Sequence, residues 1–196
     1  MTGSMHTPPP AALRYFALSS ILCLLAVIVL VEPGCRKRPV PDLEGLPPGT
    51  FDRLTEDDAS RFIALGPAMR RLGRDSHAGP ERVKLTDGVP QFLAKHIEWI
   101  HTLPGCDSVL AAAGLTWPEY RILIYRIFIA AISVGAPEVI REAGQNLDAM
   151  DPGVRKNMLK QMAQTRRIVE RVPKESQGVF SRHARELAGS LPGTDE

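Results

Sequence analysis

Cysteine, aromatic residues and excess charge of one sign are all scarce in this chain, and each scarcity excludes a class of protein. The 196 residues hold three cysteines, Cys23, Cys35 and Cys106, which lie far apart and in different surroundings. Neither a disulfide framework nor a paired metal motif follows from them. The formal net charge is only +2, so no global attraction draws the chain to nucleic acid, and a nucleic-acid partner is not expected. No catalytic or cofactor motif of any specificity occurs. No cofactor is therefore expected and no catalytic residue or metal ligand is assigned, which favours a non-enzymatic protein. Strand-like alternation with turn chemistry is missing, and so is any repeat of fixed period. What remains is a chain with 44% apolar and 23% charged residues, enough to build one helical core.

The most distinctive segment is LRYFALSSILCLLAVIVLV, residues 13–31. As a helix it extends roughly 28 Å, close to the hydrocarbon thickness of a bilayer. Arg14 and Tyr15 stand at its start, where a long cation snorkels and an aromatic ring takes the interface. Residues 1–12, with Pro8, Pro9 and Pro10, read as a disordered leader. Glu32, Pro33 and Gly34 make a poor site for ordinary signal cleavage. Gly34-Cys35 resembles the end of the bacterial lipoprotein box, in which a small residue precedes the lipid-modified cysteine, although Glu32 and Pro33 depart from that pattern. The alternative is an uncleaved signal anchor. In that case Arg36, Lys37 and Arg38 against the lone Arg14 favour the cytoplasm for the C-terminal side. Either way the membrane is a partner through the N-terminal segment.

Residues 32–53 contain RKRPVPDLEGLPPG, whose prolines predict a stiff, extended tether. A helical domain is expected over 54–190 and a disordered tail over 191–196. Thr55 with Glu56, Asp57 and Asp58 predicts a capped helix start, and Gly66-Pro67 predicts a kink or break within that helix. Gly73 to Pro90 reads as a loop, Gln91 to Leu103 as a second helix, and the alanine-rich stretch ending at Gly114 as a third. Thr116-Trp117-Pro118-Glu119 then launches YRILIYRIFIAAISV, apolar on nearly all sides and suited to the centre of a bundle. Pro137 is expected to begin a further helix, Asp151-Pro152 another running to Val172, and Lys174 the last. The fold class is all-α: an N-terminal membrane-anchoring helix, a proline-rich tether and a bundle of about six helices.

Gly114-Leu115-Thr116 with Glu119-Tyr120, followed by the Ile/Arg/Ile run, is similar to a pattern in small helical bacterial envelope lipoproteins. Over the roughly 20 residues it covers, the resemblance implies a helical fold and an envelope location, and it implies no active site.

Three groups of residues invite a functional reading. His96 and His101, five apart, point about 140° from each other on a helix and cannot chelate one ion together. His96, Arg121 and Arg126 form the one set that offers an enzyme or anion-binding site, Arg presenting a fork to carboxylate or phosphate. In the alternative, the two arginines pair with Glu98, Glu138 or Glu142. The third group lies between Asp151 and Val172. There Val154, Met158, Met162, Val169 and Val172 form an apolar stripe, while Lys156, Lys160, Arg167 and Arg171 line the opposite side. Arg155 and Arg166 widen the basic face, and Glu170 is its only acid. This pattern predicts contact with anionic lipid or acidic protein, in a membrane-tethered interaction or scaffold module.

Overall fold

Reciprocal caps start two of the helices. Ahead of Glu56–Asp75, which is α1, the Thr55 hydroxyl accepts from the Asp58 amide at 3.1 Å, and Asp58 accepts from the Thr55 amide at 3.0 Å. Glu119 accepts from the Thr116 amide at 2.7 Å, and that contact opens the long helix Trp117–Gln145. In chain order the helices are α1, α2 (Val89–Thr102), α3 (Cys106–Ala112), α4 (Trp117–Gln145), a short 3-10 turn at Leu147–Ala149, α5 (Pro152–Arg171) and α6 (Lys174–Ala188). This is a computed structural model, and it describes residues 45–76 and 89–190. Among the described residues there is no strand, and the fold is an all-α bundle. The segment 13–31 expected to anchor the chain, Cys35, most of the expected tether and the tail 191–196 lie outside the described residues.

The apolar helix α4 is the axis of the bundle. It packs chiefly on α5 and α6 and also meets α1, α2 and α3. Tyr120, Leu123, Ile124, Ile127 and Ala130 are buried in one cluster with Phe62 and Met69 of α1, Ile97 and Ile100 of α2 and Phe180 and Leu187 of α6. Tyr120 stacks on Phe62 with ring centroids 5.7 Å apart. By length and composition α4 is also able to cross a membrane, but 61% of its most apolar window is buried by its neighbours. That burial accounts for the apolar run.

One proline expectation is corrected: Pro137 lies inside α4 and does not begin a new helix. At Gly66 and Pro67, where a kink or a break is expected, α1 is not broken. A proline ring removes one helical hydrogen bond and crowds the carbonyl four residues earlier. Here packing carries the helix across the defect, with Ser133 and Ala136 buried before Pro137, and Leu65 and Met69 buried on either side of Pro67. Tertiary burial thus outweighs the local signal.

Two glycines are demanded by geometry. Gly114 adopts φ +68, and the Leu115 amide donates to the Leu110 carbonyl while the Gly114 amide donates to that of Ala111, the paired closure that ends α3. Gly66 is needed for close approach. A Cβ built there would stand 2.6 Å from the Cβ and Oγ of Ser190, which is buried just beyond α6.

The end of the tether is folded onto the bundle. Leu46 packs against the core, Thr50 is buried, and the Thr50 hydroxyl donates to the Pro47 carbonyl at 2.7 Å. At the start of the domain proper, the buried Leu54 amide donates to the Ser176 hydroxyl at 2.9 Å, joining this segment to α6. The folded region therefore begins upstream of residue 54, because leucines and a threonine interrupt the prolines there.

Candidate functional site

Helix α5 is positioned by its apolar side. Met158, Met162 and Ile168, with Val172 just beyond the last turn, are each no more than 8% exposed and face the bundle. Lys156, Lys160, Arg167 and Arg171 fall within about 60° of one another on the helix, centred about 150° from that buried side. All four are exposed. The helix begins at Asp151, whose carboxylate accepts from the Gly153 amide at 2.8 Å, and its amphipathic period fixes which side meets water. The basic face is thus a rigid array along one helix.

Its two ends are engaged differently. Arg171 lies 3.8 Å over the Phe51 ring, a cation–π contact that ties the basic face to the segment entering the domain. Arg155, on the flank, pairs with Asp148 at 3.1 Å. That pair is open to solvent on both sides, so it leaves Arg155 free to exchange partners.

Val154 departs from the expected apolar stripe, being 49% exposed, and Ile168 takes a core place that the stripe omitted. A Cβ built on Gly144, near the end of α4, would stand 3.9 Å from Met162, about three turns into α5. That contact lies about two turns beyond Val154 along α5. The sequence reading also missed Leu159, which is 46% exposed although it belongs to the same helix. Its place among cations was visible on the wheel, but its exposure was not.

The two arginines of the alternative enzyme site diverge. Arg121 and Arg126 project about 140° apart on α4. Arg126 donates to the Gly49 carbonyl at 2.9 Å and to Asp52 at 3.1 Å, with Asp58 at 3.9 Å. Its partners come from the segment before α1 and the first turn of α1, and not from Glu98, Glu138 or Glu142 as expected. Glu138 pairs with Arg141 instead. Arg121 hydrogen-bonds Tyr125, whose hydroxyl is held above its ordinary pKa by burial against the pull of that arginine. His96 is half-buried beside Trp99, their ring centroids 5.4 Å apart.

His101 stacks almost parallel on Trp117 at 4.2 Å, and its Nε2 is 3.8 Å from Asp107. Cys106 is buried, and burial, followed by the neighbouring Asp107 charge, pushes its thiol up to about 11. A thiol so poised is mostly protonated near neutrality and a poor nucleophile. Among the described residues no three His, Cys, Asp or Glu side chains gather where they would hold a metal ion.

Comparison with known proteins finds no matching family model, no matching curated protein and no matching solved structure. The class of this protein is therefore defined by its fold, an all-α bundle around one apolar helix that presents a basic helical face.

Proposed function

We propose that the chain is a membrane-tethered, non-catalytic interaction module of a bacterial cell envelope, and that the basic face of α5 docks on an anionic surface at the tethering membrane. The observation that carries the reading is the alignment of Lys156, Lys160, Arg167 and Arg171 on the exposed side of a helix whose other side is buried. Each cation close to an anionic leaflet contributes about 1 kcal/mol, and the attraction decays within a Debye length of about 8–10 Å. Four aligned cations thus supply about 4 kcal/mol, on the order of a thousandfold in affinity. A short tether adds an effective concentration in about the millimolar range, so weak contact becomes substantial occupancy. The apolar segment 13–31 supports the tether, either as an uncleaved anchor or as a signal ahead of a lipidated Cys35.

The test is co-sedimentation of a chain beginning at Pro33 with vesicles of zwitterionic lipid, alone or mixed with anionic lipid. Beside it runs a variant with Lys156, Lys160, Arg167 and Arg171 changed to Gln, its folding checked by circular dichroism. The wild-type chain is expected to sediment with anionic vesicles only, and the variant to lose most of that binding. Equal binding of the two proteins, or binding by neither, overturns the proposal.

A further inference from the structure

An isolated exposed leucine is ordinary on a protein surface, so the exposure of Leu159 means little by itself. Its surroundings give it weight. Residues three, four and seven positions away share its patch of helix surface. For Leu159 these are Pro152, Arg155 and Lys156 on the N-terminal side and Met162, Ala163 and Arg166 on the C-terminal side; all are exposed except Met162, which is buried. The leucine stands in an open ring of three long cations, with Pro152 and Ala163 beside it and the buried Met162 on the side toward the bundle. Glu170 is the one acid of α5 on this side, one turn beyond Arg166, and Asp148 meets the ring through Arg155.

Resting on the surface-docking reading above, we infer that Leu159 is the apolar anchor of the basic face and inserts beneath the phosphate plane of an anionic bilayer, while Arg155, Lys156 and Arg166 hold the headgroups around it. The chemistry of the patch selects a bilayer over an acidic protein. A protein partner is gripped by a cluster of large, packed side chains, commonly aromatic, fitted into a shaped pocket. Here one aliphatic side chain projects among flexible cations. A fluid interface accepts such a group without a preformed pocket, because lipids rearrange around it and the arginine and lysine stems lie along the apolar boundary with their charges outward. The rest of α5 fixes the geometry: Met158 and Met162, flanking Leu159 in sequence, are anchored in the bundle and hold the leucine outward.

The experiment uses the full chain carrying Leu159→Trp, reconstituted into vesicles, with the emission of Trp99 and Trp117 in the unsubstituted chain subtracted. Two quenchers are compared, a lipid brominated on its acyl chain and a lipid bearing a nitroxide on its headgroup, in vesicles with and without phosphatidylglycerol. The expected result is a blue shift and strong quenching by both lipids when phosphatidylglycerol is present, and neither effect when it is absent. Quenching by the headgroup nitroxide alone overturns the insertion of residue 159 while leaving the surface-docking reading intact. Quenching by neither lipid overturns both. Equal acyl-chain quenching in the two kinds of vesicle also overturns both, since charge would then play no part.

Discussion

Single residues show where short-range chemistry is legible and where it is not. The two capping boxes, at Thr55 and Thr116, were readable because each rests on residues three apart in sequence. The partner of Arg126 was not, because Asp52 lies 74 residues away and meets it only after the chain has folded back. The same holds for Glu56, which pairs with Arg182 and, at 2.8 Å, with Nε2 of His183, and so joins the start of α1 to α6. Arg182, then His183, holds the Glu56 carboxyl below its ordinary value of 4.5. The folded chain therefore binds fewer protons here than the unfolded chain. Its contribution to stability is complete above the ordinary carboxylate range and is lost as pH falls through the lowered folded value. Denaturant titrations are expected to show Glu56→Gln less stable than wild type at neutral pH, with the gap closing as acid takes the pH below the ordinary carboxylate range. A gap of equal size at both ends would mean that the carboxylate charge is not what the pair depends on.

At the scale of elements, helix content and the central place of α4 were legible from apolar period alone, while Pro137 misled. A proline has a strong local meaning, and sequence gives no measure of the burial that opposes it. α4 crosses Pro137 with Ser133 and Ala136 buried ahead of it, so packing outweighs the local cost of the ring without removing it. Pro137→Ala is accordingly expected to stabilise the domain. Restoring the hydrogen bond and relieving the clash gains up to about 3 kcal/mol, and the added freedom of the unfolded chain takes back about 0.4–1, leaving roughly 2 kcal/mol. A thermal melt measures this directly. A neutral or lowered melting temperature would indicate that Pro137 starts a separate helix, as its sequence context first implied. The amphipathic design of α5 was legible for the same reason as α4, with one error at each end of the argument. Val154 is exposed although it lies on the expected stripe, and Ile168, which the stripe omits, is buried.

For the whole molecule, the account joins an apolar segment, a tether whose end is folded onto the bundle, and a basic helix on that bundle. Phe51 carries the join on the domain side, since its ring lies under Arg171 at the last turn of α5 and so brings the entering chain to the basic face. The basic face itself was legible in the sequence, because lysines and arginines at helical spacing mark a side whatever the bundle does. The apolar residue within it became visible only once exposure was known. The central claim is that this face meets the membrane in the intact chain, and lysine acylation of the full protein in vesicles tests it most directly. Lys156 and Lys160 are exposed on α5 and Lys95 is exposed on α2, so one mass-spectrometric digest reads the site and its internal reference together. With anionic lipid present, Lys156 and Lys160 are expected to be acylated several-fold more slowly than in zwitterionic vesicles. Lys95 should be unchanged, and about 0.5 M salt should restore the faster rate by screening the attraction. Acylation of Lys156 and Lys160 at the same rate in both kinds of vesicle would contradict the account.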